Sequence, residues 1–168
     1  MEVDSYRFLP RTFRPMYEGH GAFPGEESPA WAPFEKRLAE TRIALLSSAG
    51  LYVKARQASF DLDTERVNPG WGDPSWRAIP ASARPDELAV AHLHISDSDL
   101  LADPEIALPA RGLEALVREG VVGGAVAEHV AVMGFQDHRL RDWRRETAPA
   151  IVAHLRKQGA GGVVLAPA

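Results

Sequence analysis

The chain contains no cysteine, which excludes disulfides, thiolate metal sites and a thiol nucleophile within it. It also lacks any block of lysine and arginine: 19 basic residues are outnumbered by 23 acidic ones, for a net charge of −4. Such a chain offers no basic track to a phosphate backbone, so nucleic acid is not an expected partner. No apolar run approaches the ~20 residues that cross a bilayer. The opening MEVDSYRFLP carries acids and lacks the apolar segment of a secretion signal. A membrane is therefore not an expected partner either, and the cytoplasm is the expected compartment. Three signatures of familiar chemistry are missing as well. There is no G-x-S-x-G nucleophile elbow, no glycine-rich dinucleotide fingerprint behind a strand, and no twelve-residue calcium loop around Asp61, Asp63 and Asp73.

What is present is ordinary for a globular domain: 168 residues, of which 45% are hydrophobic and 25% charged. Residues 1–34 combine five prolines with Phe8, Phe13, Tyr17, Phe23, Trp31 and Phe34. The prolines forbid long helices and central strands, and the aromatics argue against a solvated tail, so this reads as an ordered arm. Arg42-Ile-Ala-Leu-Leu-Ser-Ser-Ala-Gly50 reads as a buried parallel strand running into a turn of small residues. Residues 51–86 break every periodicity and read as one long ordered loop. Leu88–Ile95 is expected to be a second strand. Pro109–Glu119 is an amphipathic helix with Gly120 as its C-cap. His129–Gly134 is a third strand, and the helical stretch from Asp137 onward is completed either by a second helix capped by Thr147 or by one helix kinked at Pro149. Gly162–Ala166 is a fourth, buried strand. Alternation of this kind specifies one layered α/β domain with a mostly parallel sheet of about four strands and flanking helices, preceded by the arm.

The densest group of chemically capable side chains follows Glu87. Across Leu88–Asp103, an apolar run ends in His92, His94, Asp97, Asp99 and Asp103. Two residues apart on a strand, His92 and His94 would share a face. They could bind a divalent metal with Asp97, Asp99 or His129 as third ligand, or one could act as general acid or base. The alternative is a pair of hydrogen-bonded histidines with the aspartates capping the next turn. Ser47, Ser48 and Gly50 stand at the carboxyl end of the first strand, where open α/β sheets bind ligands. His138, Arg139, Arg141, Arg144 and Arg145 read as the solvated face of a helix.

Several stretches in order resemble one family. These are Arg7-Phe-Leu-Pro-Arg-Thr-Phe-Arg-Pro-Met16, Arg42–Gly50, Phe60-Asp-Leu-Asp63 and Gly72-Asp-Pro-Ser-Trp-Arg77, then His92-Leu-His94, Val132-Met-Gly-Phe135 and Glu146-Thr-Ala-Pro149. Together they resemble the amino-terminal part of the selenoprotein B family of the glycine, sarcosine, betaine and D-proline reductases. The resemblance implies reductive cleavage of a carbon–nitrogen bond in a small amine, amino acid or betaine. From their place at the carboxyl ends of the strands, His92, His94, Ser47 and Ser48 are the expected catalytic residues, and Gly50, Met133, Gly134 and Phe135 the expected substrate contacts. In that family a selenocysteine or cysteine in a U/C-x-x-C pattern follows a strand resembling Gly162–Ala168. This chain has no such residue, so the expectation is a short relative whose protein partner supplies the redox thiol or selenol. The competing expectations are a truncation at a selenocysteine codon, a metal-dependent enzyme built on His92 and His94, and a non-catalytic interaction module. A homodimer formed through the aromatic arm is a further expectation from composition.

Overall fold

The computed structural model describes residues 11, 12, 15, 32–68, 71–93, 95, 97–134, 136 and 140–167. The chain divides into two compact units, Met1–Phe34 and Glu35–Ala168. The expected arm lies almost wholly outside the described residues, as do His94 and Phe135.

The second unit is organised on β1 (Arg42–Ser47). Three strands run parallel to it: β5 (Gly124–Ala125), β6 (Glu128–Val132) and β7 (Gly162–Ala166). Because β7 pairs along Ile43–Ser47, β5 and β6 must share the other side of β1, one at each end. The antiparallel β3 (Trp76–Pro80) closes the sheet against β6, making five strands. Alternation along β1 explains why both faces need cover. Ile43 and Leu45 face Leu100, Leu108 and Leu113, whereas Ala44 and Leu46 face Ile151 and Leu155. The first set comes from α2 (Asp97–Ala102), the following turn and α3 (Ala110–Arg118); the second comes from α5 (Ala148–Lys157). This is the layered, mostly parallel α/β architecture the alternation of elements specified.

Three details differ from the sequence-based expectations. The segment 51–86 is not one loop, since it carries β2 (Leu51–Val53), α1 (Leu62–Val67) and β3. The strand expected over 88–95 is only β4 (Leu88–Val90), and it pairs antiparallel with β2 in a separate two-stranded sheet. Third, β7 is parallel as expected but not buried, with Val163, Val164 and Leu165 exposed. The first difference arises because strands of three and five residues are too short to establish a period against so many turn residues.

The helical stretch resolves into α4 (Leu140–Asp142), a π-helical turn Trp143–Thr147, and α5. Its cause is Pro149, whose ring would collide with the Arg145 carbonyl in a continuous α-helix. Widening the preceding turn relieves that collision, and Ala148 N accordingly donates five residues back, to Trp143 O. The Thr147 hydroxyl does not cap the helix; it donates to Pro74 O at 2.7 Å.

Candidate functional site

A cleft of about 320 Å³ opens at the carboxyl ends of β1 and β6, lined by Ser48, Val132, Met133, Gly134, Gln136, Trp143, Arg144 and Ala148. Open α/β sheets bind ligands at this end, because parallel strands deliver their last residues and following loops there. Ser48 is held at the rim by its backbone N, which donates to Ala166 O at 3.2 Å. Behind it the chain doubles back, with Gly50 N donating to Val132 O at 3.0 Å and Ala91 N donating to Gly50 O at 2.9 Å. Gln136 ties the far wall to the 71–75 segment, its Nε2 donating to Asp73 O at 2.7 Å. The π-helical turn supplies Trp143 and Arg144. Gln136 Oε1 and Trp143 Nε1 are buried with no hydrogen-bond partner among the described residues.

Val132, Met133, Trp143 and Ala148 make the apolar part of the lining, and Ser48, Gln136 and Arg144 are its residues with polar side chains. A guanidinium suits a carboxylate, and an indole suits an apolar or cationic body. No carboxylate or imidazole lines the cleft among the described residues. The lining is therefore equipped to bind and orient a small molecule.

The residues singled out from the sequence separate into several places. Ser48, Met133 and Gly134 come together in the cleft. Ser47 is fully buried, and its Oγ accepts from Ala49 N at 3.2 Å, a local turn contact. Gly50 has φ +65°, and a Cβ there would lie 2.1 Å from Ala91 O and 3.2 Å from Met133 Sδ. Its role is to let two backbones approach behind Met133. His92 is partly exposed beyond the end of β4 and does not line the cleft. β4 ends at Val90, two residues before His92, and His94 lies outside the described residues. Asp97 and Asp99 are exposed in the first turn of α2. Among the described residues no group of three histidine or acidic side chains could hold a metal.

His129 proves to be a core residue. Two residues of β1, Ala44 and Leu45, face four of the β5–β6 edge between the paired positions Ile43↔Ala125 and Leu46↔Val130. In that gap Leu45 N donates to His129 Nδ1 at 3.3 Å, so an imidazole replaces the missing backbone acceptor. Burial pushes its pKa from 6.5 down to about 4, and the ring is neutral. Gln136, Trp143, Arg144 and Ala148 escaped the sequence reading. Arg144 looked like a solvated helix face, and only the widened turn before Pro149 marks that stretch as irregular.

The chain is 28% identical over 137 residues, 82% of its length, to the D-proline reductase subunit gamma of Acetoanaerobium sticklandii. It spans about half, 52%, of that relative. This is a distant relationship to the reductase family at large, and it does not single out selenoprotein B. No protein-family description and no solved structure matches the chain. Among the described residues no helix is long and apolar enough to cross a membrane.

Proposed function

We propose that the chain is a ligand-binding component of a reductase complex acting on a small amine, amino acid or betaine, with a partner protein carrying the redox group. One observation carries this reading. The cleft at the carboxyl ends of β1 and β6 gathers Ser48, Met133 and Gly134, residues expected at a site from their place at the strand ends, beside Arg144 and Trp143. Its volume of about 320 Å³ lies at the lower end of the range for small-molecule sites, which suits a ligand of amino-acid size. The similarity to a D-proline reductase subunit supports reductive carbon–nitrogen bond cleavage as the chemistry served. We assign the electron-carrying group to the partner, since residues 1–168 hold no cysteine.

Thermal unfolding in the presence of D-proline, glycine or betaine tests the reading. At a hundredfold excess over Kd a ligand stabilises by about 2.7 kcal/mol, or roughly 5–10 °C in Tm for a chain of this size. Ala148→Phe, which fills the cleft from the first turn of α5, is expected to abolish the shift while leaving the ligand-free Tm within a few degrees. If none of the three compounds shifts Tm, the proposed ligand class is wrong.

A further inference from the structure

The stretch Gly72-Asp-Pro-Ser-Trp-Arg77 is absent from the lining of the cleft, yet two of its carbonyls hold residues of that lining or next to it. At its centre Asp73 is buried, and its carboxylate is shared between two backbone donors. Oδ1 accepts from Ser75 N at 2.8 Å, and Oδ2 accepts from Asp61 N at 3.0 Å. The first bond is the local turn that an aspartate makes with the N–H two residues on. Pro74, inside that turn, has its φ fixed by its ring. The peptide units of the turn are therefore held in direction, and both of their carbonyls are used. Asp73 O accepts from Gln136 Nε2 at 2.7 Å, and Pro74 O accepts from Thr147 Oγ1 at 2.7 Å. Gln136 lies just beyond β6 on one side of the cleft; Thr147 ends the π-helical turn that brings Trp143 and Arg144 to the other. A turn-capping aspartate is ordinary in an exposed loop. Burial of this one, and the destination of both carbonyls it orients, are not.

We infer that Asp73 is a positioning residue for the cleft: by capping the turn at Ser75 N, its carboxylate fixes two successive carbonyls, and through them both the Gln136 wall and the π-helical turn. Asp73 does not line the cleft and acts only through Gln136 and Thr147. Two walls that are distant in sequence thus share one short anchor. Loosening the anchor releases both together, whereas loss of either partner side chain releases one. The second carboxylate bond has a different job. It ties the turn to Asp61, the N-cap of α1, whose own side chain accepts from Thr64 N. An asparagine caps the same kind of turn with its single oxygen, so it keeps the anchor and gives up that tie. That the walls enclose a ligand rests on the reading of the cleft as a small-molecule site.

Hydrogen exchange in the ligand-free full chain tests this, read at the Gln136 side-chain amide and at the backbone amides of Trp143–Thr147. Asp73→Ala is expected to speed both at least about tenfold. Asp73→Asn should leave both within about twofold of wild type. Gln136→Ala should leave the Trp143–Thr147 amides unchanged, since Pro74 O keeps its partner. Val122→Ala truncates the core beside β5, at the start of β1 and away from the cleft. It should lower the urea midpoint and move neither readout. Overturning results would be Asp73→Ala leaving either readout unchanged, or Asp73→Asn as disruptive as Asp73→Ala. Should Asp73→Ala fail to fold, Asp73→Ser, a weaker cap of the same turn, takes its place. Both readouts must then rise together, and any other pattern overturns the role. Where D-proline, glycine or betaine shifts the wild-type Tm, Asp73→Ala should also weaken that compound's binding about tenfold, and Asp73→Asn should not. Unchanged binding in Asp73→Ala would likewise overturn the role. Exchange is measured without ligand, so failure of the anchor and failure of the cleft as a binding site are read separately.

Discussion

Gly50 and His129 show how single residues set the geometry behind the cleft. At Gly50 the left-handed φ of +65° and the approach of Ala91 O together exclude any side chain. Gly50→Ala is expected to cost about 3 kcal/mol or more, measured as a shift in urea midpoint at constant slope. An unchanged midpoint would mean that the β2 and β6 connections move apart freely. For His129 the sign follows from its lowered pKa. Above pH 6.5 the folded and unfolded chains both hold the neutral ring. Between 6.5 and about 4 the unfolded chain takes a proton that the folded chain refuses, so stability falls as the pH drops. The loss from this group amounts to about 3 kcal/mol across that window. His129→Asn keeps an acceptor near the Leu45 N–H and removes the titration. Its unfolding free energy should be lower than wild type at pH 7, yet decline less between pH 7 and pH 4.5. Equal declines in the two proteins would show that the buried imidazole does not contribute.

Among the elements, the π-helical turn has the largest effect on the site. It presents Trp143 and Arg144 to the cleft and is pinned by the Thr147 hydroxyl on Pro74 O. Thr147→Val keeps the shape and removes that bond from a buried position. The expected cost is about 1–2 kcal/mol, with faster amide exchange through Trp143–Thr147. Exchange unchanged in that turn would mean that Pro149 alone holds it. Much of this level was legible in the chain. The apolar run Arg42–Ser47, the stripe of the 109–119 helix and the Gly120 stop each appear where their patterns put them, because burial on a fixed face imposes a period. The short β2–β4 pair was not legible, since three-residue strands leave no period to read.

At the scale of the whole molecule, the buried clusters among the described residues lie between Ile43 and Leu155, inside the unit Glu35–Ala168. A chain of residues 35–168 is therefore expected to fold on its own and unfold in one cooperative transition, with the β1–β7 ladder protected from exchange. Loss of cooperativity or of that protection would show that residues 1–34 complete the core.

The sequence by itself determined the layered α/β class, because the spacing of apolar residues is a local consequence of which face each strand and helix buries. It also pointed to Ser48, Met133 and Gly134, since residues just past parallel strands share one end of the sheet. Only the tertiary structure separated His92 from that cleft, brought Gln136, Trp143 and Arg144 into it, and drew His129 into the core. Those outcomes depend on where β4 stops, how Pro149 widens a helix, and which backbone donor lacks a partner in a gapped ladder. Each is a contact between segments distant in the chain, and no local pattern encodes it.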